Sequence, residues 1–338
     1  VETGLENIRY LTGFTGSNAF VVYGVSRGVL ITDPRYTSQA REEVKKSGFS
    51  VRIYKKDLFP FISAIIEKVA PEGSVGLDGG TVTHDFYKRL RTALRPRRLR
   101  DVGDLVAGLR RVKEDGEIAL IRRSAAILES GFRKAARLLR PGAVEKAVAR
   151  KVEDYFIGRG AEGVSFESIV ASGPRGALPH GKASHKGIRK GELVVVDMGA
   201  RFEGYCSDAT RTFCVGRATR LQKKIYAIVK EAQLLAAGRI RDGVRASVVD
   251  RAARSHIRKA GYGRNFGHGT GHGLGLAVHE GPGLGPRSAD VLAQGMVVTV
   301  EPGIYIPGWG GVRIEDMVVV RRDGCEFLTT SPERLISL

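Results

Sequence analysis

The sequence is poor in cysteine, short of acids and without a long apolar run, and each shortage excludes something. Its three cysteines among 338 residues, Cys206, Cys214 and Cys325, are odd in number and sit at no metal-ligand spacing. A disulfide framework and a thiolate zinc motif are thereby excluded, and a reducing, cytoplasmic setting is expected. No stretch reaches the roughly 18 apolar residues that a membrane-spanning helix needs, so no membrane association is expected. A hydrophobic content of 42% with 27% charged residues belongs to a globular chain rather than a disordered one. The sequence begins at Val1 without Met or a targeting pattern, from which a trimmed N-terminus is expected. Asp and Glu number 36 against 55 Lys and Arg, leaving a net charge of +19. The excess is spread along the chain: residues 1–112 hold 19 basic and 12 acidic residues, and the rest carries the remainder. Only Lys88, Arg89, Arg91, Arg95, Arg97, Arg98 and Arg100 form a dense run. Basic runs can mark nucleic-acid binding, but this one has no interleaved aromatics and no helix-turn-helix pattern, so it reads as a solvated face.

Glycine is the residue in surplus, with 44 in the chain. Ten of the 25 residues from Gly261 to Gly285 are glycine. That tract cannot be a regular helix and must let backbone pass close to something. Length and pattern divide the chain into two domains, 1–112 and 113–338. In the first, strand patterns at Ala19–Tyr23, Val29–Thr32, Ser50–Tyr54 and Ser74–Asp78 alternate with helical patterns at Tyr36–Ser47 and Leu58–Val69, which predicts an α/β domain. The basic, polar stretch from Arg98 to Lys113 is taken as the junction. The second domain opens on helical patterns at Asp115–Leu139 and Val144–Gly158, followed by strands from Ser165 to Val215. Two helices lie within Leu221–Ala260, and strands resume from the glycine tract to Leu328. Helices segregated from mostly antiparallel strands make this half α+β. Gly142–Gly163 and Gly243–Gly263 have a similar plan, which allows an internal duplication.

Four acids stand at the ends of apolar strands. Leu193–Val196 runs into Asp197, and Gly204 signals a turn before the alternating strand Tyr205–Val215, which carries Asp208. A turn between Phe202 and Glu203 sets Asp197 directly opposite Asp208. Val297–Val300 runs into Glu301, and a turn centred on Gly308 sets Glu301 opposite Glu315 on a return strand Val312–Val320. Like charges held about 5 Å apart repel, so such pairs imply a cation or a shared proton. Four carboxylates with His268, His272 and His279 of the glycine tract suit a pair of hard or borderline divalent cations. Two such ions can share a nucleophilic hydroxide and stabilise a hydrolytic transition state.

Five segments then carry a resemblance, in order and spacing. They are Ala177-Leu-Pro-His180-Gly, Val196-Asp197-Met-Gly through Ser207-Asp208, Gly267-His-Gly-Thr-Gly-His272-Gly through Val278-His279-Glu, Val300-Glu301-Pro-Gly and Val312-Arg-Ile-Glu315-Asp. Together they resemble the pita-bread metallopeptidases, and more narrowly the Xaa-Pro aminopeptidase and prolidase branch. The opening Asn7-Ile-Arg-Tyr-Leu-Thr-Gly-Phe-Thr-Gly-Ser-Asn18 is similar to the start of that branch's creatinase-like N-terminal domain, from which the opening helix and the first part of the first strand are expected to be absent. The resemblance implies that Asp197, Asp208 and Glu315 bind one metal and that Asp208, His272, Glu301 and Glu315 bind the other. It further implies that Glu301 is the general base for the bridging hydroxide. By the same likeness His180 and His279 act on the substrate carbonyl and the leaving proline nitrogen, His268 also faces the substrate, and Arg313 steadies the metal shell or the substrate. Two divalent ions, most often manganese, with cobalt or zinc as alternatives, are the implied cofactors, and a homodimer is the implied assembly. His185 stands where the family often has an acid and is read as a surface change.

The expected activity is removal of the residue preceding proline from a peptide N-terminus. A prolidase confined to Xaa-Pro dipeptides is the nearest rival, and a methionine aminopeptidase ranks below it because of the leading domain. A catalytically silent binding protein using the basic run on nucleic acid, or a metal-free creatine hydrolase, would be marked by lost ligands. None of the five implied ligands is missing.

Overall fold

The computed structural model describes residues Val1–Leu338, and their contacts divide them into two compact units, Val1–Arg110 and Arg111–Leu338. In the first unit, α1 (Leu5–Thr12) precedes the antiparallel pair β1 (Ala19–Tyr23) and β2 (Gly28–Thr32). After α2 (Thr37–Val44), β3 (Ser50–Ile53) joins β2 in parallel. Then come α3 (Leu58–Val69), β4 (Val75–Leu77), α4 (His84–Ala93), β5 (Leu99–Asp101) and α5 (Leu105–Arg110), with β4 and β5 paired in parallel. Side-chain alternation in β1 and β2 builds two cores. Val22 and Ile31 meet Ile62 and Ile66 of α3 on one face; Val21 and Leu30 meet Ile8, Ala40 and Val44 on the other. The expected α/β character follows from this layering.

The helices α1, α4 and α5 stand where no helical signal was read. α5 leaves Leu105 and Leu109 more than half exposed, so its apolar residues do not mark a buried stripe. It lies inside the stretch expected to be a junction. α4 carries the start of the basic run: Lys88, Arg89, Arg91, Arg95, Arg98 and Arg100 are exposed, and Arg97 is held against Glu67 and the carbonyls of Glu72 and Gly73.

The second unit begins with α6 (Asp115–Leu138) and α7 (Glu145–Gly158). A capping box of Glu114 and Glu117 starts α6. The following strands are β6 (Gly163–Val164), β7 (Ile169–Ser172), β8 (Leu193–Met198), β9 (Ala200–Phe202), β10 (Tyr205–Cys206) and β11 (Ala209–Cys214). The capped α8 (Arg220–Ala237) and α9 (Ala246–Lys259) come next. Then follow β12 (Gly271–Gly273), β13 (Glu280–Leu284), β14 (Val297–Val300), β15 (Gly303–Ile306), β16 (Gly310–Arg313), β17 (Asp316–Val320), β18 (Cys325–Phe327) and β19 (Ile336–Ser337). One sheet has the order β19-β11-β8-β7 and another β13-β12-β14-β17-β18, with β19 against β11 the one parallel pair among them. α6 and α7 cover the first sheet through Leu128, Phe132, Val152 and Phe156; α8 and α9 pack on Val298, Val300 and Val318 of the second.

The two halves of this unit are built alike, as the glycine spacing allowed. Gly142 N–H donates to the Ile188 carbonyl at 2.8 Å, and Gly243 N–H to that of Leu292 at 2.9 Å. Glu145 and Ala246 start their helices with N–H bonds to Lys186 and Asp290. Left-handed Gly191 precedes β8 and left-handed Gly295 precedes β14. Asp197, near the end of β8, and Glu301, just past β14, therefore leave equivalent strands toward a common point.

Candidate metal centre

The first hairpin turns one residue later than expected. Glu203 and Gly204 occupy its centre with φ of 46° and 82°, the paired left-handed conformation of a type I′ turn. Tyr205 therefore pairs with Phe202, and Asp197 pairs with Thr210 rather than with Asp208. The register moves by two residues, an even number, so Asp208 keeps the face of Asp197 and becomes its diagonal neighbour. In the second hairpin Gly303 pairs with Arg313 and Val300 with Asp316, the register in which Glu301 stands opposite Glu315. The return strand is broken, however. β16 ends at Arg313 and β17 begins at Asp316, because Glu315 N–H leaves the ladder for the Thr210 carbonyl and Glu301 N–H for that of Thr270. The Glu315 bond links the two sheets at the acids, and the Glu301 bond ties β14 to the start of β12 within its own sheet.

The glycine tract explains itself here. A Cβ on Gly271 would lie 2.0 Å from the Thr299 carbonyl oxygen, and one on Gly273 would lie 2.3 Å from that of Gly281. Only glycine permits this approach. A β-bulge between His272 and Gly273 interrupts the pairing of β12 with β13 and aims the imidazole at the acids. His272 Nδ1 meets the Gly273 carbonyl at 3.0 Å, which places the proton there and leaves Nε2 with a lone pair. That Nε2 lies 3.5 Å from Asp208 Oδ2 and 3.6 Å from Glu301 Oε1. One ligand atom each from Asp208, His272 and Glu315 lies within 4.8 Å of the others.

Asp197, Asp208, Glu301, Glu315, His180, His268, His272, His279 and Arg313 all line one cleft of about 420 Å³. His180 stands exposed at its mouth, and the rings of His272 and His279 are 4.2 Å apart between centroids. His185 is exposed and does not line the cleft. Two polar residues of the site carried no recognised signal. Tyr305 donates or accepts at His268 Nε2 (2.9 Å) and accepts from Arg313 Nη1 (2.9 Å). Thr210 donates to Glu315 Oε2 (2.7 Å) and accepts from Arg313 Nε (2.9 Å). The signal for Tyr305 was glycine again: a Cβ on Gly303 would strike its hydroxyl at 2.6 Å, and one on Gly311 its ring at 3.0 Å.

Burial, followed by repulsion from Glu315, Asp197 and Glu301, pushes Asp208 well above the usual carboxylate range. Glu315 is raised well above its ordinary value by burial and then by Glu301 and Asp197. Burial lifts Glu301 to about 7, with Arg313 opposing and Asp197 adding. Burial depresses His268 and His272 to about 4 and lowers His279, so His268 and His272 are neutral near pH 7. Arg313 Nη2 fixes Asp197 Oδ2 at 2.6 Å, while Asp197 Oδ1 is buried without a partner. Neutral imidazole, an orphaned carboxylate oxygen and three carboxyls that resist ionising together fit a site for divalent cations.

Comparison with known proteins agrees. Residues 119–322 match the model of metallopeptidase family M24, and residues 3–112 match that of the creatinase/prolidase N-terminal domain.

The chain belongs to metallopeptidase family M24.

Its second unit accordingly has the pita-bread fold, and family membership implies divalent metal ions in the cleft just described. The M24 chain is 37% identical over 334 residues to an Xaa-Pro dipeptidase of Pyrococcus horikoshii, covering 98% of this chain and 92% of that one. A structure described as an Xaa-Pro dipeptidase from Bacillus anthracis superposes with a TM-score of 0.96 at 40% identity, covering 100% and 94% of the two chains. One described as an X-Pro aminopeptidase from Thermotoga maritima gives 0.91 at 39% identity, covering 99% and 94%.

Proposed function

We propose that this M24 peptidase is an Xaa-Pro dipeptidase acting through two divalent ions. The observation that carries the reading is the convergence of four carboxylates and the unprotonated His272 Nε2 in one cleft. Full-length likeness to proteins described as Xaa-Pro dipeptidases favours that activity over the aminopeptidase expected first. Asp197, Asp208 and Glu315 would hold one ion and Asp208, His272, Glu301 and Glu315 the other, with Asp208 and Glu315 shared. Manganese is the leading choice for an oxygen-rich set with one imidazole, ahead of cobalt or zinc. When bound, such ions supply Lewis acidity and make a water acidic enough to lose a proton near neutral pH.

The remaining steps belong to the chain. Arg313 holds one oxygen of Asp197 and thereby presents the other to the cleft. Thr210 orients Glu315 in the same manner. Glu301 takes the proton of the attacking water. His268, held between Tyr305 and its own backbone, stays neutral and faces the substrate. His279 and His180 face the departing proline nitrogen, to which a proton must be delivered. Phe166 and Ile169 supply apolar wall for the proline ring.

The test is turnover of an Xaa-Pro dipeptide against the matching Xaa-Pro-Yaa tripeptide by the manganese-loaded protein. The expected result is a dipeptide kcat/KM higher by at least about tenfold, roughly 1.4 kcal/mol of discrimination. Equal or faster tripeptide turnover would make the enzyme an aminopeptidase. No turnover of either peptide with manganese, cobalt or zinc would end the peptidase reading.

A further inference from the structure

The loop that brings His180 to the cleft is closed by a carboxylate that never reaches the cleft. Glu145, the first residue of α7, is wholly buried. Its Oε1 accepts from the Ser172 N–H (2.8 Å) and hydroxyl (2.7 Å). Its Oε2 accepts from the Ser184 N–H (3.1 Å), the Ser184 hydroxyl (2.6 Å) and Arg175 Nε (3.1 Å). Ser172 ends β7 and Ser184 lies beyond His180, so one side chain ties both ends of the excursion, as in a compact Ω-loop. The middle of the loop is tethered separately, by Arg313 Nη1 to the Pro179 carbonyl at 3.0 Å. Burial alone would raise the Glu145 pKa, yet the serine hydrogen bonds pull it below the ordinary value, so the carboxylate is charged.

The fold itself does not ask for an acid at this position. In the second half of the domain the equivalent residue is the buried Ala246, which makes the same helix-starting backbone bond. There the histidine loop is secured one turn further along α9. Asp250 Oδ1 accepts from the Thr270 hydroxyl (2.9 Å) and from Arg254 Nη2 (2.7 Å), and Arg254 donates to the His268 carbonyl (2.6 Å). Each histidine-bearing loop thus rests on a buried carboxylate from the helix beneath it.

We propose that Glu145 is a positioning residue for His180, fixing the segment from Ser172 to Ser184 so that the imidazole is presented at the cleft mouth. The inference rests on the role given to His180 under the proposed function. The test uses the full manganese-loaded chain with Glu145→Gln and, as a milder variant at the half-exposed end of the loop, Ser184→Ala. Glu145→Gln keeps size but turns an amide toward donors that need an acceptor, a mismatch large enough to shift local equilibria by about tenfold.

Amide hydrogen exchange is the first readout. Residues 173–184 are expected to exchange about tenfold faster in both variants, while α8 and α9 keep wild-type protection. The second readout is a double-mutant cycle on dipeptide kcat/KM. Glu145→Gln is expected to lower kcat/KM by about tenfold and Ser184→Ala by about threefold, mostly through kcat, since His180 is placed at the departing nitrogen. In a His180→Ala background each is expected to have less than a roughly twofold effect, because no imidazole remains to be positioned. Unchanged exchange in the loop, or a full undiminished loss in the His180→Ala background, would overturn the proposal. Should the wild type cleave no Xaa-Pro peptide, the functional reading fails by itself and the exchange measurement still decides whether Glu145 holds the loop.

Discussion

Glu301 stands between two imidazoles, 3.6 Å from His272 Nε2 through Oε1 and 4.0 Å from His268 Nδ1 through Oε2. Glu301→Gln keeps its shape and removes its basicity. The expected outcome is a fall in kcat of about 10²–10⁴-fold, with the far-ultraviolet circular dichroism spectrum unchanged. A variant close to wild-type kcat would remove Glu301 from the reaction. The same acids govern how the metal-free protein responds to pH. Asp208, Glu301 and Glu315 have folded-state pKa values above the ordinary carboxylate values, so they favour the folded state while protonated. That contribution is complete below about pH 4, the unfolded-state range, and is lost as pH rises through the folded-state values, which for Glu301 is about 7. The melting temperature of chelated protein should therefore fall between about pH 6.5 and pH 8, above the range in which the depressed His268 and His272 act in the opposite sense, by more than that of the manganese-loaded protein, as thermal melts would show. Parallel curves for the two forms would contradict this account.

At the scale of single elements, one turn fixes the geometry of the first pair of acids. Gly204 has φ of 82° in the turn that sets the register of β8 with β11. Gly204→Val should cost roughly 1–2 kcal/mol, since a β-branched residue resists left-handed backbone. Glu203, at φ 46°, bears a smaller strain of the same kind, and Glu203→Asn should return some tenths of a kcal/mol because asparagine tolerates that region. Urea denaturation of the two variants would show opposite shifts in midpoint. This turn is also where the hydrophobic pattern could not decide. Leu193–Val196 is apolar and buried on both faces, so only the alternating strand that carries Asp208 holds a face preference. It does not distinguish registers two residues apart. The choice falls to the turn, where glycine at the second central position needs Glu203 to adopt the same rare conformation. In the second hairpin the pattern and the turn agreed, and Glu301 met Glu315 as expected.

For the whole molecule, manganese should act as a folding ligand as well as a cofactor. The proposed site is assembled from β8, β12, β14 and the segments beside β11 and β17, which are far apart in the unfolded chain. At about 100 times its dissociation constant the ion should add about 2.7 kcal/mol to stability. Calorimetry of chelated protein titrated with manganese should show a progressive rise in melting temperature, and Asp208→Asn should abolish most of it. No rise in the wild type would argue against a metal centre at this place. The long helices and apolar strands of this unit were plain in the sequence because their periodicity reflects burial on one face. α1, α4 and α5 were not, since they are short and bury few residues each. Thr210 was missed because nothing local distinguishes a threonine in a strand from one that completes a site, and Tyr305 because Gly303 and Gly311 show the room it needs only once the strands are paired.

The sequence by itself determined the two kinds of domain, the strand ends that carry the acids and the segments that mark the M24 family. Those are properties of local pattern and residue chemistry. The tertiary structure alone decided that Asp208 lies diagonal to Asp197, that Arg313 leaves Asp197 Oδ1 unpartnered, and that Glu145 closes the His180 loop. The first depends on a turn conformation that the hydrophobic pattern does not report, and the other two on contacts between residues distant along the chain, made by the packing of strands, helices and loops.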